Sequence, residues 1–130
     1  MNGESGQGTR SPALDWLPAL AWAAALLILG GQESAGPSLP AGLDKVAHLS
    51  LYGVLGLLSG HGWVRHGRSP AAALVLILAM AIGALDEMNQ SRVPGRDADP
   101  FDFLADAIGV LLGFAARLRL GARRNRTTNV

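Results

Sequence analysis

Two short stretches of the chain hold most of the side chains able to do chemistry. The first, DKVAHLSLY at 44–52, spaces Asp44, His48 and Tyr52 four residues apart. On a helix, positions i, i+4 and i+8 form one stripe. The second, DEMNQSRVPGRDADPFDFLADAIG at 86–109, sets Glu87 and Gln90 on one helical face. It then passes a Pro94-Gly95 turn signal and sets Asp102, Asp106 and Gly109 on another face. An imidazole among carboxylates is equipment for proton transfer or nucleophilic attack. His48 is the candidate base or nucleophile, with Glu87 or Asp106 orienting it or serving as general acid. Arg96 and Lys45 are cationic donors for a phosphate or carboxylate, and arginine's planar fork suits that recognition. Asp44, Tyr52, Gln90 and Asp102 complete the candidate ligand-binding set.

Each residue also has a purely structural role to weigh. Asp44, Asp99 and Asp102 fit as helix caps that complement the positive N-terminal end of the macrodipole. Tyr52 fits as an interfacial hydrogen-bonding residue, Lys45 as a snorkelling side chain, and Arg96 as a loop arginine paired with Asp97 or Asp99. Capping does not explain Asp106, one turn deeper than Asp102. Nor does it explain Glu87, near a helix C-terminus where the dipole disfavours an anion.

The elements that must hold these residues are apolar. Apolar side chains gather into four blocks, Trp16 to Gly31, Val46 to Trp63, Pro70 to Leu85 and Phe103 to Leu118, rather than recurring as in a soluble core. Each is slightly short of the ~20 residues that cross a ~30 Å hydrocarbon layer, so polar ends must help them span. Extending the third block through Gln90 brings it to about 31 Å. Nothing alternates at period two, so the expected fold class is all-α, a polytopic membrane protein with a four-transmembrane-helix bundle. The expected helices run over about 13–31, 44–64, 70–90 and 100–120. Ser11-Pro12, Ser69-Pro70 and Asp99-Pro100 mark three starts as cap-plus-proline pairs, and Asp44 is the expected N-cap of the second helix. Residues 1–12 read as a disordered N-terminus and 121–130 as a basic tail drawn to anionic headgroups. "GLLSG" at 56–60 and "GVLLG" at 109–113 are small-residue signals that bring helices two and four together.

Net charge is only +1, but its distribution is uneven. With both termini inside, the inner side holds Arg10, Arg65, Arg68, Arg117, Arg119, Arg123, Arg124 and Arg126, against Lys45, Arg92 and Arg96 outside. Eight against three favours cytoplasmic termini. Both reactive stretches then face out of the cytoplasm. There is no cysteine, which removes disulfides, thiolate nucleophiles and zinc-thiolate sites.

In order and spacing these residues resemble the VanZ-like integral membrane proteins, a family named after a protein associated with teicoplanin resistance. The resemblance covers 44 to about 113. Asp44, Lys45, His48 and Tyr52 match its first block, and Glu87, Gln90, Pro94, Arg96, Asp102, Asp106 and Gly109 its second. One departure is Asp106, where the family pattern usually has Asn. An acid there calls for protonation or for pairing with His48 or Arg96. The resemblance implies a bacterial inner-membrane protein of the cell envelope but no settled reaction.

Two functions follow as expectations. One is an extracytoplasmic polar pocket that binds a lipid-linked or anionic envelope component and bears on glycopeptide susceptibility. The other is an intramembrane enzyme acting on a phosphorylated lipid carrier, by hydrolysis or transfer. A divalent-metal variant of the enzyme would use Glu87, Asp102 and Asp106 with His48, though no metal site is assigned and no cofactor is identifiable. Ion-coupled transport would want ionisable groups across the whole bilayer, and the inner halves offer none. A membrane lipid or lipid-linked wall precursor is the expected partner, nucleic acid is not, and the oligomeric state is not readable.

Overall fold

The computed structural model describes residues 11, 13–32, 40, 42–68 and 70–127, with side chains through 123. The expected Pro12 and Ser69 halves of two cap pairs, the segment 1–10 and the chain end 128–130 lie outside the described residues. The described chain is all-helical, in the order α1 (Ala13–Gly30), α2 (Leu43–Arg65), α3 (Ala72–Gln90) and α4 (Pro100–Thr127).

Three boundaries differ from expectation, each for a local reason. Asp44 is not the N-cap of α2: Gly42, at φ 93°, occupies that position, and Asp44 Oδ1 reaches back to accept the Gly42 N–H at 3.0 Å. This satisfies a donor that the helix leaves orphaned. Helix α3 begins at Ala72 rather than Pro70, because Ala71 is extended and the Pro70 carbonyl accepts the Trp63 indole N–H at 2.8 Å. Helix α4 runs seven residues beyond the expected 120, to Thr127. Its extension is rich in arginine, a good helix former whose charge favours a helix C-terminus. The Asp99-Pro100 pair caps as expected, with Asp99 Oδ1 accepting the Phe101 N–H at 2.8 Å.

Helices α1 and α3 run one way, α2 and α4 the other. Trp22 Nε1 donates to the Leu51 carbonyl and Asn89 Nδ2 to that of Leu27, each at 2.9 Å, while Arg65 of α2 meets Asp15 of α1 at the opposite pole. Helix α2 touches all three others and packs along the length of α4, whereas α1 and α4 do not meet among the described residues. The α2–α4 seam is made of glycine. A Cβ on Gly56 would lie 2.8 Å from backbone atoms of Val110, and one on Gly109 would lie 2.9 Å from the Gly53 nitrogen. The small-residue signals thus sit where the two backbones come closest, as such motifs permit.

The interior joins Ala23, Leu26, Tyr52, Leu55, Ala79 and Val110. Large apolar side chains also cover the outside, among them Leu20, Ile28, Ile77, Leu78, Leu112 and Leu120. Among the described residues, α1 and α3 are long and apolar enough to cross a membrane. Helix α2 carries Asp44, Lys45 and His48, and helix α4 carries Asp102, Asp106 and a run of arginines from Arg117 on, which lowers their mean hydropathy.

Candidate functional site

The antiparallel arrangement brings the C-terminal ends of α1 and α3 and the N-terminal ends of α2 and α4 to one pole, and the candidate residues converge there. Lys45, in the first turn of α2, is the hub of the outer layer. Its Nζ lies 2.7 Å from Asp99 Oδ2, 2.9 Å from Asp102 Oδ1 and 3.1 Å from Asp44 Oδ2. Asp99 therefore both caps α4 and pairs with Lys45, and this ammonium holds its carboxyl below the ordinary aspartate range.

One turn deeper, His48 Nδ1 lies 2.9 Å from Asp106 Oδ1. An ionised carboxylate only accepts, so against ionised Asp106 the ring donates through Nδ1, and Nε2 is the nitrogen turned toward Asp102. That Nε2 is 3.9 Å from Asp102 Oδ2. Asp106 is 1% exposed, and room for it comes from Gly83 of α3, where a Cβ would lie 3.2 Å from Asp106 Oδ2. Tyr52 continues the α2 stripe, its ring parallel to that of His48 with centroids 6.4 Å apart.

A third layer belongs to α3. The buried Asp86 accepts from the Tyr52 hydroxyl at 3.0 Å and from Gln90 Nε2 at 3.1 Å, both on Oδ2. Gln90 Oε1 in turn accepts from Arg96 Nη2 at 3.0 Å. Arg96 is aimed by the expected turn: Gly95 has φ 80° and the Arg96 N–H returns to the Val93 carbonyl at 3.1 Å. Pro followed by a positive-φ glycine is what a type II turn requires. Glu87 Oε2 accepts the Asp99 N–H at 2.9 Å, tying α3 to the connection before α4.

All nine candidates thus lie at one pole, in three bonded sets: Asp44, Lys45, Asp102 and Glu87, joined through Asp99; His48 with Asp106; and Tyr52, Gln90 and Arg96, joined through Asp86. Arg96 pairs with Gln90 rather than with Asp97 or Asp99. Sequence reasoning passed over Asp86, although the argument that singled out Glu87 applies to it equally: a carboxylate near the C-terminal end of an apolar helix. It also read Asp99 as a cap or a partner of Arg96, not as a partner of Lys45. Asp86, Glu87, Asp99, Asp102, Asp106 and Asp44 outnumber Lys45, Arg96 and His48, so the cluster is acid-rich. Among the described residues, three buried carboxylate oxygens, Asp86 Oδ1, Glu87 Oε1 and Asp106 Oδ2, have no hydrogen-bond partner.

Chemically the arrangement offers an imidazole oriented by a buried carboxylate, with its second nitrogen directed at further carboxylates. No family model matches the chain, and the comparisons with curated proteins and with solved structures found no match.

Proposed function

We propose that the chain is a VanZ-like integral membrane protein of the bacterial cell envelope. Its four helices span the inner membrane with both termini cytoplasmic, and the polar pole faces outward and binds the headgroup of a lipid-linked or anionic envelope component. One observation carries the reading: the distribution of polarity is inverted. Asp86, Glu87, Gln90, Asp102 and Asp106 are buried, while large leucines and isoleucines cover the outside. Ionisable groups inside a membrane bundle cost several kcal/mol each, as translocon-derived scales of about +2.5 to +3.5 kcal/mol indicate, and are found where they serve a site. Gathering them at one pole, within reach of headgroups, suits a ligand that arrives from the lipid surface. The family resemblance of the two reactive stretches extends this to glycopeptide, and specifically teicoplanin, susceptibility.

The alternative reading, an intramembrane phosphatase or transferase acting on a phosphorylated lipid carrier, is favoured by a different observation. The 2.9 Å contact between His48 and Asp106 is the geometry of a general base held by an orienting acid. Purified protein in vesicles doped with polyprenyl phosphate tests both. Saturable binding without release of phosphate supports the first reading, turnover supports the second, and neither binding nor turnover overturns both. Membrane residence is tested separately, by retention of the chain in the pellet after alkaline carbonate extraction. Expression in a teicoplanin-sensitive host, with and without His48→Ala, tests the link to susceptibility.

A further inference from the structure

We infer that the cluster is a divalent transition-metal site, with His48 Nε2, Glu87 and Asp102 as ligands and Asp106 as the residue that orients the histidine. One nitrogen of His48 and one carboxylate oxygen from each of Glu87 and Asp102 lie within 4.8 Å of one another. Metal–ligand bonds of about 2.0–2.2 Å place such atoms about 3.3–4 Å apart, so an ion would draw them together by at most about 1.5 Å. The His48–Asp106 contact supplies what metal-binding histidines almost always have, a carboxylate accepting the ring's other N–H and holding the ligating nitrogen forward.

A second, independent observation points to a cation. Glu87 is 7% exposed, and its Oε1 is buried with no hydrogen-bond partner among the described residues, while its Oε2 is occupied by the Asp99 N–H. An ionised oxygen in that position is costly unless a cation or donor meets it. The neighbouring acidic set, Asp44, Asp99 and Asp102, shows the contrast: it also has cation-site geometry, and Lys45 Nζ already fills it. Asp102 then bridges the two positive centres, Oδ1 facing Lys45 and Oδ2 facing the His48 side.

One imidazole and two carboxylates without thiolate suit Zn²⁺ or Mn²⁺ better than Mg²⁺ or Ca²⁺, which take all-oxygen shells. Three protein ligands leave at least one position open, where a phosphate or carboxylate oxygen of a headgroup can bind. This resolves a difficulty in the proposed function, on which that last step rests. The pole is acid-rich and Lys45 is engaged by carboxylates, so direct capture of an anion there is unfavourable, whereas a metal-bridged anion is not.

The test uses the full chain in detergent micelles with Mn²⁺ as probe. Continuous-wave electron paramagnetic resonance is expected to show one bound ion per chain, competed by Zn²⁺. His48→Ala and Glu87→Gln are expected to lose binding at concentrations that saturate the wild type. Asp106→Asn should weaken it about 10- to 100-fold. Asp97→Asn, in the exposed turn, should stay within about twofold. Pulsed resonance on the wild type needs no variant and is expected to show nitrogen modulation from one imidazole. The inference is overturned if the bound ion shows no nitrogen coupling, or if folded His48→Ala and Glu87→Gln proteins retain wild-type affinity. Because the micelles contain no headgroup ligand, this result is independent of the vesicle assay, and the two readings fail separately.

Discussion

The α2–α4 seam makes the most exposed physical claim, because two helix backbones there leave no room for a methyl group. In Gly113→Ala, the new Cβ would sit 2.8 Å from the Leu57 nitrogen and 2.9 Å from the Gly53 carbon, and closer still to the Gly53 carbonyl oxygen. Relaxed carbon contacts lie at about 3.5–4.0 Å, so the seam must open by about 0.7 Å or more. Backbone cannot swing aside as a side chain does, so the cost falls at the upper end of the ~1–3 kcal/mol typical of overpacking. Against it stands the gain of up to about 1 kcal/mol from replacing glycine by alanine inside a helix. The net expectation is a loss of about 2 kcal/mol. The same opening, carried two turns to the pole, would stretch the His48–Asp106 contact from 2.9 Å past hydrogen-bonding range. Equilibrium unfolding in mixed micelles, followed by helical circular dichroism, measures the effect. Leu112→Ala, on the exposed face of the same helix, serves as the control. The sign decides: a Gly113→Ala protein as stable as the wild type, or more so, would mean that propensity acts alone and the helices do not approach this closely.

Three further outcomes follow from the polar pole. Tyr52→Phe removes the hydroxyl that donates to the buried Asp86 and is expected to cost about 1.5–3 kcal/mol in the same unfolding assay, hydrogen bonds to charged groups being the stronger class; an unchanged midpoint refutes the bond. Lys45→Met strips the shared cation from Asp44, Asp99 and Asp102 and should lower the unfolding midpoint, with Asp102→Asn in the double variant recovering part of the loss; strict additivity would show that the pair does not interact. Asp99→Asn keeps the capping function but not the charge. Since Lys45 depresses the Asp99 pKa in the folded chain, its contribution is fully present above the unfolded value near 3.8 and is lost as pH falls through the lower folded value. The stability gap between wild type and Asp99→Asn should therefore close in acid below about pH 4, and a gap that widens there contradicts the pairing.

Much of this was legible in the sequence because it rests on period and chemistry. The i, i+4, i+8 stripe of α2 and the second stripe of Asp102 and Asp106 needed only a helical pitch to be placed. The Pro94-Gly95 pair needed only turn stereochemistry to return Arg96 toward the bundle. Helix ends were less legible. Gly42, not Asp44, took the N-cap position because glycine reaches a left-handed backbone without strain. The start of α3 was moved by a bond between Trp63 and the Pro70 carbonyl that joins two elements. The roles of Lys45 and Asp99 were hidden for the same reason. Both are ordinary helix-end residues until two helices distant in sequence are laid side by side, and only then does one ammonium prove to face carboxylates from both.

That placement also changes what the cluster can bind. Read along the chain, Lys45 and Arg96 are two free cations waiting for an anion. In the fold, Lys45 is surrounded by acids and Arg96 is turned onto Gln90, while the uncompensated groups among the described residues are oxygens: Asp86 Oδ1 packed toward Gly30, Asp106 Oδ2 toward Gly83, and Oε1 of Glu87, a residue grouped with His48 and Asp102. Of these residues, Glu87 belongs with His48 and Asp102 to a group with the spacing to share an ion. A pole that is short of positive charge selects first for a cation, and for an anion only through it. Removing the metal is therefore expected to abolish headgroup binding on vesicles while leaving the helices folded. Headgroup affinity that survives exhaustive chelation would return Arg96 to the role its sequence position suggested.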